Sequence, residues 1–171
     1  MKCALLLIDV QKAIFEMKQP VYAQTDFIEN IKLAVSFARE NHIRTIFSLH
    51  ENKSFLKKGT QGHQIIDEID VLEDDIILAK KHPNVFLKTG LDNILKGEGI
   101  ETVIVAGLIS NGCVKDACLS ALKNGYAVCL LSDAHSTFYK NGKKIIEDIN
   151  RDMEAAGVRV VPVEQLTKQY N

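Results

Sequence analysis

No stretch of this 171-residue chain approaches the roughly eighteen consecutive apolar residues that a membrane span requires. The apolar run Leu5-Leu6-Leu7-Ile8 ends at Asp9 with no small-residue cleavage site behind it, so it reads as a first strand rather than a signal peptide. An excess of charge is missing too. Lys and Arg number 21 against 22 Asp and Glu, and a net charge of -1 gives neither nucleic acid nor an anionic membrane a reason to bind. The four cysteines, Cys3, Cys113, Cys118 and Cys129, form no CxxC pair and are far too sparse for a secreted disulfide scaffold; reduced thiols and a cytoplasmic location are expected. No GxGxxG or P-loop follows the first strand, which disfavours a nucleotide- or flavin-binding domain. Repeats, low-complexity tracts and linkers are absent, and the length suits one domain over 1–171. Small molecules and further copies of the chain remain as partners.

What is present is an ordinary globular balance, 46% hydrophobic and 25% charged. Apolar runs at 3–8, 44–49, 75–79, 102–106, 127–131 and 158–162 are short and mostly continuous, as strands buried on both faces are. Helical periodicity fills gaps between them. Residues 27–39 put Phe27, Ile31, Ala34, Val35 and Ala38 on one face, with Asp26 and Glu29 as a capping box. A second helix over 112–124 ends at Gly125, and a third over 142–155 uses Ile145, Ile146, Ile149 and Met153. Alternation of this kind predicts an α/β fold, a three-layer doubly wound sandwich with a mostly parallel six-stranded sheet.

Ligands of such sheets bind outside the carboxyl ends of the strands. Those ends carry Asp9, His50, Lys80 and the run Ile109 to Cys113. Cys113 sits between an apolar strand and a helix-like stretch, where exposed backbone N–H groups and the positive end of the helix dipole favour a thiolate and can receive an oxyanion. Asp9 supplies a proton acceptor and Lys80 a positive charge, so a thiolate is expected. Cys3, Cys118 and Cys129 are assigned to the core, and His42, His82 and His135 to the surface or the outskirts of the site. The polar segment 51–74 looks like a flexible excursion beside the binding edge.

Leu7-Ile8-Asp9-Val10-Gln11, Lys80 with Phe86 and Thr89, Gly107 through Val114 and Ser132-Asp133-Ala134 together resemble the isochorismatase-like cysteine hydrolase superfamily, in order and over nearly the whole chain. The resemblance implies a catalytic triad of Asp9, Lys80 and Cys113. Lys80 rather than Lys81 takes the lysine position because it lies six residues before Phe86, with Thr89 three beyond. It also implies a cis peptide at Leu108-Ile109, oxyanion donors in the backbone N–H groups of Ile109 and Cys113, and a homo-oligomer. Asp9 then takes the thiol proton and passes it to the leaving amine. Gln11, Phe15, His50, Phe86, Asn111 and Tyr139 are the substrate-pocket candidates by position.

Nicotinamidases of the family carry a metal on an Asp-x-His pattern after the second strand. Here His50 and Asn52 stand at those places and His63 lies further on, a poor zinc spacing; no metal and no cofactor are expected. The presence of Cys113 favours C–N hydrolysis of a small amide or ureido compound through a thioester over vinyl-ether cleavage of the isochorismatase type. A non-catalytic thiol sensor or metabolite-binding protein on the same fold is the competing reading.

Overall fold

The computed structural model describes residues 2–170. Six strands, β1 (Cys3–Ile8), β2 (Arg44–His50), β3 (Ile76–Lys80), β4 (Thr102–Leu108), β5 (Ala127–Ser136) and β6 (Arg159–Val161), form one sheet in the order β3-β2-β1-β4-β5-β6. Every pairing is parallel. The chain runs outward from β1 through β2 to β3, then returns to β4 beside β1 and runs outward the other way. The order therefore reverses between β1 and β4, and a crevice opens at their carboxyl ends.

Helices cover both faces. α1 (Lys12–Phe15) follows β1, and α2 (Gln24–Glu40) packs Phe27, Ile31 and Val35 against Leu5, Leu7 and Phe47 on one face, joined there by α6 (Val163–Tyr170). On the other face α3 (Leu91–Gly97), α4 (Lys115–Lys123) and α5 (Gly142–Ala155) bury Leu91, Leu95, Ala117, Ala121, Ile149 and Met153 against Ala4, Leu6 and Ile8. β1 is buried along its whole length because successive side chains feed two different cores. This is the three-layer sandwich expected. No helix among the described residues is long and apolar enough to cross a membrane.

Three local readings shift. α2 begins at Gln24 with Ala23 as its N-cap, so Asp26 lies inside the first turn and makes no capping box. The stretch 112–124 is not one helix: a wide π-type turn spans Ser110–Val114, with Asn111 and Gly112 off helical dihedrals, and α4 starts at Lys115. Segment 51–74 is irregular but anchored by buried Leu56, Ile66 and Ile69 and by a bridge between Gln11 and Ile65. α4 does stop at Gly125, whose φ of 89 closes a Schellman pair: Gly125 N–H to Leu122 O at 2.9 Å and Tyr126 N–H to Ala121 O at 3.1 Å.

Gly107 fixes how closely β4 approaches β1. It pairs with Ile8 at a φ of 121, and a Cβ there would lie 2.2 Å from Ile8 O. Both the left-handed backbone and the clash oppose a side chain, so Gly107→Ala is expected to cost about 2–5 kcal/mol in urea unfolding. An unchanged midpoint would show that the two strands can separate freely at this point.

Candidate active site

Asp9 follows β1 directly, in a left-handed conformation with φ 52 that aspartate tolerates better than most residues. Its N–H donates to Ser48 O at 2.8 Å and its carbonyl accepts from Gln11 N–H at 2.9 Å, holding the kink in place. Lys80 ends β3, the edge strand, and reaches inward past His50, its register partner at the end of β2. Cys113 lies within the π-type turn that follows β4, and the peptide bond Leu108-Ile109 ahead of it is cis.

The three side chains meet at the lysine. Lys80 Nζ donates to Asp9 Oδ2 at 2.8 Å and to Cys113 Sγ at 3.2 Å, and lies 3.4 Å from His50 Nδ1. The Lys80 side chain is fully withdrawn from water and that of Asp9 is 5% exposed. Asp9 Oδ1 is buried and makes no hydrogen bond among the described residues. Burial lifts the Asp9 carboxyl above its usual range, with Lys80 pulling against it. Burial, then the negative charge of Asp9, push the Cys113 thiol up to about 12, and Lys80 only partly opposes them. The expected resting thiolate is therefore corrected to a neutral thiol, because loss of solvent outweighs the positive surroundings. Burial and the Lys80 charge lower the His50 pKa, which leaves a neutral ring able to accept from the lysine.

Above this cluster opens a partly enclosed cavity of 140 Å³, with Asp9, His50 and Cys113 at one end and walls of Ile14, Met17, Phe55, Leu56, Leu108, Ile109 and Phe138. Of the six pocket candidates only His50 lines it. Gln11 is spent on the backbone: its Nε2 donates to His50 O and His63 O, and its Oε1 accepts from His50 N–H. Phe15 stacks on Phe27 and Phe86 packs toward Tyr126. Asn111 and Tyr139 border a neighbouring surface depression instead. Beyond Leu108 and Ile109, named already for their peptide bond, the apolar wall carries no signal in the sequence: Ile14 belongs to α1 and Met17, Phe55, Leu56 and Phe138 to irregular segments, where an apolar side chain does not distinguish pocket from core.

Among the described residues, Asp9, His50 and Cys113 are the one group whose possible ligand atoms all lie within 4.8 Å of one another. Lys80 Nζ already lies within 3.4 Å of an atom of each, so an ammonium fills the place a metal ion would need. Asn52 is likewise committed, its Oδ1 accepting from Ser54 N–H and Leu56 N–H. His63 faces Glu51 at 3.8 Å, two donors where a zinc centre needs three or four. These residues do not fit a metal centre.

The turn bearing Cys113 is tied down by His135, which of its two expected places takes the outskirts of the site and is buried there. Its Nε2 lies 2.8 Å from Asn150 Oδ1 and its Nδ1 2.8 Å from Ser110 Oγ. An amide oxygen only accepts, so Nε2 carries the proton and Ser110 donates to Nδ1. This arrangement needs a neutral ring, and burial lowers the His135 pKa to about 4. The unfolded chain protonates near 6.5, so stability is complete above that pH and is lost as pH falls from 6.5 through 4. That gap corresponds to roughly 3 kcal/mol. In urea melts at stepped pH, His135→Gln is expected to flatten the acid-side slope; an unchanged slope would assign the acid sensitivity elsewhere.

The family model described as Isochorismatase domain matches residues 3–165. The isochorismatase family protein YddQ of Bacillus subtilis (strain 168) is 28% identical over 142 residues, covering 80% of this chain and 79% of its own length. Nicotinamidase 3 of Arabidopsis thaliana is 28% identical over 151 residues, covering 79% and 73%. Among solved structures, an isochorismatase-like hydrolase from Alkaliphilus metalliredigens superposes with a TM-score of 0.90 at 26% identity, covering 100% of both chains.

Proposed function

This chain belongs to the isochorismatase family of hydrolases, and within that family we propose that it cleaves the C–N bond of a small amide through a thioester on Cys113. The observation that carries this reading is one ammonium, Lys80 Nζ, hydrogen-bonded at once to a buried carboxylate and to a thiol at the floor of a cavity. The name of one relative, a nicotinamidase, supports an amide as the target.

In this mechanism Asp9 takes the proton from Sγ as the sulfur attacks the amide carbon. Backbone N–H groups of Ile109 and Cys113 receive the oxyanion. Collapse of the tetrahedral intermediate breaks the C–N bond, and Asp9 returns its proton to the departing amine. Water, deprotonated by Asp9, then opens the thioester, releasing the acid and restoring the thiol. Lys80 holds the charge on Asp9 before the attack and the charge on sulfur when it departs from the acyl carbon. A carboxyl raised by burial suits a group that must both take and give a proton. A thiol sensor would need a thiolate at rest, and the raised Cys113 pKa disfavours that alternative.

Cys113→Ala is expected to lower kcat by at least about a thousandfold with the circular dichroism unchanged; near-normal turnover would rule out the thioester. Asp9→Asn separates two effects. Turnover is lost, yet the Cys113 pKa read from iodoacetamide alkylation against pH falls below about 12, because the anion that lifted it is gone. A rise instead would show that Asp9 does not set the thiol. Lys80→Ala leaves a buried carboxylate unpaired and is expected to cost about 3–5 kcal/mol as well as activity. Exposed Lys81→Ala should change neither, and equal losses would move the lysine role off Lys80.

The same reading makes the protein a cytoplasmic homo-oligomer that works without metal or cofactor. Four free cysteines support the reducing compartment, and the edge strand β3, which leaves Ile77 half exposed, supports assembly. Light scattering at micromolar concentration is expected to give more than one chain mass, and dialysis against a strong chelator to leave activity intact. A monomer, or activity lost with a stoichiometric metal, would overturn the corresponding part.

A further inference from the structure

Building on the cysteine hydrolase reading, we propose that the substrate is a neutral amide whose acyl group is small and apolar, and that amides bearing a carboxylate on the acyl group are rejected. The cavity has a polar floor and a hydrocarbon wall. At the floor are Asp9, His50 and Cys113; the wall is built from Ile14, Met17, Phe55, Leu56, Ile109 and Phe138. The amide belongs at the floor, where Sγ is, so the rest of the acyl group lies against carbon.

Charge decides what that wall accepts. Among the described residues no arginine or lysine lines the cavity. Lys80, the one cation beneath it, is committed to Asp9 and Cys113. Lys12 on the neighbouring helix is held by Asp67 at 2.6 Å. A substrate carboxylate would therefore leave water for a wall that offers it no cationic side chain, next to a floor that already holds the Asp9 charge. Size points the same way. The volume, 140 Å³, is close to the roughly 150 Å³ of a cavity that takes one benzene molecule. Phe55 stands at the rim with half its surface in water, an apolar contact that an apolar acyl group would cover.

Isocaproamide and succinamate test this directly. They share chain length and shape and differ in an isopropyl group against a carboxylate. Two readouts are taken on the wild-type protein: ammonia release, and protection of Cys113 from iodoacetamide. The neutral isostere is expected to exceed the anionic one by about 100-fold or more in kcat/KM, and to protect at far lower concentration. Phe55→Lys places a cation at the rim and is expected to narrow that ratio by about tenfold or more. Equal or preferred use of succinamate would overturn the assignment while leaving the hydrolase reading intact. Selective protection by isocaproamide without ammonia release would support the assignment and count against hydrolysis. Protection and turnover by neither would overturn the assignment.

Discussion

A lysine sealed from water holds its charge only if something inside the protein takes the place of the solvent it has lost. Here Asp9, Cys113 and His50 do so, each from the end of a different strand or the turn beyond it. Removing one partner leaves the others buried and uncompensated, which is the expensive way to break such a cluster. The carboxyl ends of β1, β2, β3 and β4 are thereby held in register around a single nitrogen. The left-handed turn at Asp9 and the close approach at Gly107 make sense as backbone concessions to that point.

The same cluster explains how a thiol that is neutral at rest can take part in the proposed chemistry. Its proton need not leave before the substrate arrives, because the buried Asp9 carboxylate is within reach and the Lys80 ammonium is already in position for the charge that appears on sulfur. The site is close to electroneutral beforehand: one cation, one anion, a neutral thiol and a neutral imidazole. Hydrophobic walls then strengthen each polar contact by excluding water.

Strand ends were the legible part of the sequence. Mostly continuous apolar runs of five or six residues located all six strands to within a few residues, and Asp9, His50, Lys80 and Cys113 followed from where those runs stop. β5 runs on to Ser136 where the apolar run ends at Leu131, because an irregularity in its pairing with β4 lets polar residues continue the strand. Asp133, part of a recognised motif, accepts from Val163 N–H at the start of α6. α3 was illegible because seven residues scarcely establish a period. Gln11 was misleading for a different reason: nothing in a sequence distinguishes an amide that meets a ligand from one consumed by the backbone around it. Ser110, His135 and Asn150 are likewise far apart in sequence, and only the fold brings them into one network.

The position of Lys80 on β3 has a further bearing. That strand pairs only with β2, and its last residue alone is buried. Edge elements with few buried side chains open by local fluctuation at a lower free energy than the centre of a sheet. The cation that organises the cluster thus rides on an edge of the sheet, while Asp9 and Cys113 hang from β1 and β4 at its centre. Loosening of that edge would take the ammonium from between the carboxylate and the thiol without disturbing the strands from which those two groups hang.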